Sequence, residues 1–151
     1  MSDLLEVPRV ANVSAEFYLG VAKTRGDSPV ITQQVSVRVE DKDVLVMDDV
    51  TDTGKSLQIV KKHILEQGGR LVKTATIYHK PWSVTVPDYY EKETESWIVF
   101  PWELKETVRC LVENCKKEGL PMEKVGRKLI ESGVNATLVE RFVKDVLKEK
   151  V

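Results

Sequence analysis

Residues Val44 to Ser56 read VLVMDDVTDTGKS: four apolar positions, two acids, then a loop of small hydroxyl, acidic and glycine residues. The closing GKS has the look of a nucleotide-binding P-loop. Such a loop needs glycine five positions before the GK pair, so that its amides can wrap a phosphate without side chains intruding. Here that position is Asp49. A carboxylate there repels the phosphate, Asp48 beside it adds to the effect, and the P-loop reading fails on charge.

A different chemistry suits the same residues. A buried strand delivers Asp48 and Asp49 at its C-terminal edge, where open α/β sheets bind ligands. Adjacent side chains on a strand point oppositely, so the two acids converge only if the strand ends between them and the chain turns. TDTGKS then runs into a helix N-terminus, a set of amides and hydroxyls suited to a phosphate monoester. The implied ligand has hydroxyls or a hydrated metal at one end and a phosphate at the other, as a ribose 5-phosphate does. Simple helix capping requires one acid, not two acids and a hydroxyl-glycine loop.

Working outward, the run DVLVMDD has the near-continuous apolar pattern of a parallel strand buried on both faces. Leu57, Val60 and Ile64 form one helical stripe after Gly54, and EQGGR closes that helix. LVKTATIYH is a second strand, so the segment is a βαβ unit with a right-handed crossover. A Pro-rich loop, KPWSVTVPDYY, leads to a short expected strand, WIVF. Upstream, SDLLEV reads as the end of a helix, Arg9 to Tyr18 as extended chain, KTRGDS as a charged loop, PVITQQVSVRV as a strand and EDKD as a tight connection. Downstream lie three helices. The first covers ELKETVRCLVENCKKEG. The second starts at Pro121, buries Met122, Val125 and Leu129 and stops at Gly133. The third is capped by Asn135 and buries Leu138, Phe142 and Val146.

The bulk numbers agree with a soluble α/β domain carrying a helical tail. The chain has 151 residues, 42% apolar and 31% charged, with net charge −1. No apolar run approaches the roughly 20 residues of a membrane span, and MSDLLEVPRV lacks the pattern of a signal peptide, so a cytoplasmic address is expected. Cys110 and Cys115 fit neither redox nor zinc spacing and read as reduced thiols. From Leu104 onward 11 Lys+Arg face 8 Asp+Glu, a net of +3, against −4 before it. That excess, without an Arg-rich face, argues for a packing or oligomerisation role over nucleic-acid binding.

The opening stretch closely resembles the thirteen-residue phosphoribosyl pyrophosphate (PRPP) motif of the type I phosphoribosyltransferases. The segment YHKPWS...VPDYY...SWIVFPWE resembles the base-recognition half of the 6-oxopurine members, especially the short archaeal ones, so the likeness runs from Ser2 to about Glu106. It implies a Rossmann-like, mostly parallel sheet over 1–103, with 104–151 as an all-helical extension to which the family assigns no role. It implies transfer of the phosphoribosyl group of PRPP to hypoxanthine, guanine or xanthine with release of pyrophosphate, a Mg²⁺ cofactor and a homo-oligomer, a dimer.

Carried over by position, Asp48 and Asp49 hold the ribose hydroxyls and Thr51, Asp52, Thr53, Gly54, Lys55 and Ser56 the 5-phosphate loop. Asp52 takes the proton from purine N7, Lys80 donates to the exocyclic oxygen, Trp97 stacks on the base and the Ile98 backbone reads its edge. Metal ligation falls to Asp48, Asp49 and, one residue out of register, Glu103. From the residues alone, Trp97 reads equally as a core aromatic and Lys80 as a surface lysine, while His63 and His79 read as structural or surface residues.

The family also carries a first strand and a glycine-rich pyrophosphate loop ahead of the helix that ends here in SDLL, so the α/β part is expected to be N-terminally incomplete. A non-catalytic PRPP-binding regulator, with the tail as its output module, is the alternative.

Overall fold

The computed structural model describes residues 3–19, 25–119, 121 and 123–149. The chain divides into two compact units, Met1–Glu95 and Ser96–Val151.

In the first unit, β1 (Ser14–Leu19) and β2 (Arg25–Gln33) pair antiparallel. A separate three-stranded parallel sheet has the order β3 (Asp43–Thr51), β4 (Leu71–His79), β5 (Tyr89–Glu93). The helix α1 (Lys55–Glu66) makes the crossover from β3 to β4, whose register runs from Asp43 opposite Leu71 to Thr51 opposite His79. The expected βαβ unit is therefore present, and its helix lies within a residue of the stripe that announces it. Val60 and Ile64 pack with Val39 and Val72, flanked by Val35, Val44 and Val46, so α1 and the chain around it close one face of the sheet. Gly68, at φ 86, turns the chain after the helix, and Gly69 donates back to the Ile64 carbonyl at 3.0 Å.

Several expectations are corrected. SDLLEV forms only a turn over residues 3–6, closed by Glu6 N–H donating to the Asp3 carbonyl; Ser2 lies outside the described residues. KTRGDS is in part strand, since β2 already begins at Arg25, while Lys23 and Thr24 lie outside the described residues. The strand expected over PVITQQVSVRV ends at Gln33, where its pairing with β1 ends.

WIVF is not a strand. The third position in the sheet is taken by Tyr89–Glu93, because Ala75 opposite Tyr89 and His79 opposite Glu93 give that segment a complete parallel register against β4. Nor is β3 buried on both faces. Leu45, Met47, Leu71, Ile77 and Tyr89 are each 40% or more exposed, because α1 covers the other side and β3 has, among the described residues, a strand along one edge only. An open cavity of about 920 Å³, lined in part by Val10, Val37, Leu45 and Met47, lies along that free edge.

The second unit is helical. Its elements are α2 (Leu104–Glu118), α3 (Glu123–Glu131) and α4 (Ala136–Lys148). Val108, Val112, Leu129, Val139 and Val146 form its core, with Phe142 half-buried against them. Asn135 caps α4 as expected, its side-chain oxygen accepting from Leu138 N–H at 3.2 Å. Leu138 itself is exposed; the neighbouring Val139 takes the buried position. Met122 and the Val125 side chain lie outside the described residues. Lys105 and Arg109 both bind the Glu149 carboxylate, which fixes the end of α4 to the start of α2.

Candidate functional site

The junction of β3 and α1 holds a cavity of about 390 Å³ lined by Asp48, Val50, the consecutive residues Thr51 to Leu57, and Phe17 from β1. Its floor follows from the sequence. The apolar strand ends at Thr51, and two small polar residues then carry the chain to Gly54, whose φ of 78 starts the helix from a left-handed backbone. No side chain caps α1 at Gly54. The amides of a helix's first turn have no intrahelical acceptor, so this end of α1 brings the positive end of its dipole to the cavity. Thr53 Oγ1 lies 3.4 Å from the Lys55 amide and stiffens the turn.

Of the residues expected at a ribose phosphate, Asp48, Thr51, Asp52, Thr53, Gly54, Lys55 and Ser56 are all brought together around this cavity. Asp49 is not among its lining. The strand does not end between the two acids but continues through Thr51, so neighbouring side chains alternate across it. The Asp49 amide instead donates to Asp48 Oδ1 at 3.0 Å. Desolvation raises the Asp48 pKa above the usual carboxylate value; that amide opposes the shift and the Asp49 charge adds to it. An acid held this way gains from a hydroxyl donor or a cation.

A second loop buttresses the first. Lys80 N–H donates to the Thr51 carbonyl and Val84 N–H to the Thr53 carbonyl, both at 3.0 Å. Trp82 Nε1 donates to Asp52 Oδ1 at 2.9 Å. A Cβ built on Gly54 would lie 2.3 Å from Ser83 Oγ and 2.8 Å from the Thr85 amide nitrogen, so only glycine fits between the loops. Lys80 is buried, not at the surface, and its Nζ stands 5.3 Å from the centroid of the Trp82 ring. The sequence reading passed over Trp82 and Phe17. The only signal for Trp82 was its place two residues after Lys80, and its partner lies thirty residues earlier.

The other expected residues fall elsewhere. Trp97 is 84% exposed, which removes the core-aromatic reading, and Trp97, Ile98 and Glu103 all belong to the second unit, where Glu103 is the N-cap of α2. His63 and His79 are buried; His63 Nε2 lies 3.5 Å from the Val35 amide, and His79 packs against Tyr90 with ring centroids 5.0 Å apart. Among the described residues no three His, Cys, Asp or Glu side chains converge on one point. The donors fit a magnesium ion shared with a ligand better than a protein-built cage, since Mg²⁺ retains waters and takes phosphate oxygens alongside one or two carboxylates.

Comparison with known proteins gives a consistent picture. The family model described as phosphoribosyl transferase domain matches residues 1–108. The hypoxanthine-guanine phosphoribosyltransferase of Lactococcus lactis subsp. lactis (strain IL1403) is 36% identical over 75 residues, 48% of this chain and 40% of that protein. The xanthine-guanine phosphoribosyltransferase of Cereibacter sphaeroides (strain ATCC 17025 / ATH 2.4.3) is 26% identical over 102 residues, 66% of this chain and 58% of that one. A crystal structure of a purine phosphoribosyltransferase from Pyrococcus horikoshii superposes with a TM-score of 0.59 at 39% identity, over 68% of this chain and 65% of that chain. In each comparison this chain spans less than two thirds of the relative's length.

Proposed function

The chain belongs to the phosphoribosyltransferase family, and from that premise we infer that it transfers the phosphoribosyl group of PRPP to a 6-oxopurine, releasing pyrophosphate. One observation carries this reading: a single cavity gathers Asp48 and every residue from Thr51 to Ser56 around the N-terminus of α1. The 5-phosphate accepts hydrogen bonds from the amides and hydroxyls of that turn, with Lys55 adding charge. Asp48 accepts from a ribose hydroxyl, and Asp49 contributes negative charge behind it. The relatives' names supply the acceptor class, since they are hypoxanthine-guanine, xanthine-guanine and purine transferases.

As pyrophosphate departs from C1, positive charge develops on the ribose ring, as in glycoside cleavage. A carboxylate at Asp48, which lines the cavity, favours that charge. The incoming purine nitrogen attacks C1, and Asp52 accepts the proton that the purine sheds. Lys80 donates to the exocyclic oxygen of the base. Trp97 and Ile98 are assigned to the purine, and Glu103 to the metal, by the resemblance alone. Asp48, together with phosphate and water oxygens, would hold a magnesium ion, which would supply neutralisation of the pyrophosphate charge; Asp49, outside the cavity lining, is assigned to the metal by the resemblance alone. The family likeness also supports a homodimer acting in the cytoplasm; no helix among the described residues is long and apolar enough to cross a membrane.

The test is direct. The purified chain is incubated with PRPP, Mg²⁺ and each of hypoxanthine, guanine, xanthine and adenine, and nucleotide is measured by chromatography. Product with a 6-oxopurine is expected. Thermal stabilisation by PRPP with no product from any base would overturn transfer in favour of a PRPP-binding regulator.

A further inference from the structure

The indole of Trp82 stands between two groups to which the proposed function gives opposite tasks. Its N–H reaches Asp52 Oδ1 at 2.9 Å, and its ring face lies 5.3 Å from the Lys80 ammonium. On the reading of this site as a purine transferase, we propose that Trp82 is a positioning residue. It holds the Asp52 carboxylate by one oxygen, so that Oδ2 is left to receive the proton, and it ties the register of that acid to the lysine that grips the base.

Three observations support this. Asp52 sits in a turn between a strand and a helix, at a residue with a short side chain that is solvent-exposed, so nothing in its own element fixes the carboxylate. Hydrogen bonds from a neutral donor to an ionised acceptor are stronger and more directional than neutral pairs, which makes the indole sufficient to choose an orientation. Finally, although Trp82 is 54% exposed, the loop that carries it is held in place. Its loop is pinned to the Asp52 turn on both sides, by Lys80 N–H to the Thr51 carbonyl and by Val84 N–H to the Thr53 carbonyl, with Gly54 packed against Ser83 and Thr85. The two loops thus meet residue by residue from Thr51 to Gly54, and the indole–carboxylate bond adds a side-chain link to that series. A lysine over the ring face adds a cation–π contact that keeps the indole plane from rotating away from the acid.

The experiment has two arms. In the first, ¹H–¹⁵N spectra of the full chain record its three tryptophan indole signals. The signal lost in Trp82→Phe should be the one that Asp52→Ala displaces furthest; a Trp82 signal unmoved by Asp52→Ala overturns the proposal. In the second, Trp82→Phe keeps an aromatic ring beside Lys80 and removes the N–H along with part of the ring area. It should lower kcat about tenfold while leaving the KM for PRPP unchanged. Unchanged kcat, or a loss confined to KM, also overturns it. Absence of turnover by the unmodified chain with every purine sinks the transferase reading instead, and the indole signals then decide the Trp82 contact by themselves.

Discussion

Gly54 and Ser83 approach so closely that a Cβ on the glycine would stand 2.3 Å from the serine hydroxyl oxygen. The serine could rotate away, but the Thr85 backbone nitrogen at 2.8 Å could not. Gly54→Ala should therefore cost about 1–2 kcal/mol for its left-handed backbone alone, and more for the displaced loop. It should also abolish stabilisation by PRPP. Urea unfolding with and without PRPP measures both; an unchanged PRPP response would show that the loop contact is not needed for phosphate binding.

Asp48 carries the opposite signature, a residue that costs the empty protein stability. Its pKa is raised in the fold, chiefly by desolvation, so the folded state holds its proton more firmly than the unfolded chain does. Stability contributed by this group therefore declines as pH rises from the ordinary aspartate range through the raised value. At neutral pH, Asp48→Asn should raise the melting temperature of the ligand-free protein and weaken PRPP binding about tenfold. A variant that loses stability and keeps PRPP affinity would contradict both halves.

Asp52→Asn tests the proton acceptor. The amide keeps the shape and can still accept from the Trp82 indole, but cannot take up a proton at neutral pH. Turnover should fall on the order of 100-fold, with PRPP affinity changed far less. Steady-state kinetics beside calorimetric PRPP binding separate the two effects, and equal turnover in both proteins would reject the assignment.

Asp88 acts on the fold, not on the cavity. Its carboxylate binds Lys73 Nζ at 2.7 Å and both the amide and hydroxyl of Thr74 at 2.9 Å, pinning the start of β5 to β4. The Lys73 bond, helped by the two Thr74 bonds and the charge of Lys61, holds its pKa well below the usual carboxylate range. The stability it supplies is present above the unfolded value and disappears as pH falls through the lowered folded one. Asp88→Asn should cost about 2 kcal/mol at pH 7 and flatten the acid side of the stability profile. Denaturation midpoints measured from pH 2 to 7 check the slope.

In the helical unit, Asn135 receives the Leu138 amide at 3.2 Å. Asn135→Ala should lose about 1 kcal/mol, read as a lower urea midpoint, while Asn135→Ser should recover most of it.

What could be read in advance was local. The stripe of Leu57, Val60 and Ile64, the glycine at each end of α1, and the cap at Asn135 are encoded within a few residues of where they act. The turn from Thr51 to Ser56 is likewise contiguous, so its residues could be assigned together. What escaped was decided by partners distant in the chain. Tyr89–Glu93 displaced WIVF as the third strand because pairing with β4 selects a strand and local β-propensity does not. Asp49 fell outside the cavity because β3 kept its hydrogen-bonded register to Thr51, a property of β4 as much as of β3. Trp82 was invisible as a partner of Asp52, since no periodicity links residues on separate loops.

The border of β3 along which no strand pairs among the described residues, with Leu45 and Met47 uncovered beside it, bears on how the protein will behave in a tube. Bare strand borders recruit further strands, so samples should stay monodisperse when dilute and thicken irreversibly when concentrated. Met47→Lys, which leaves the phosphate turn untouched, should lengthen shelf life, visible as a slower rise in light scattering.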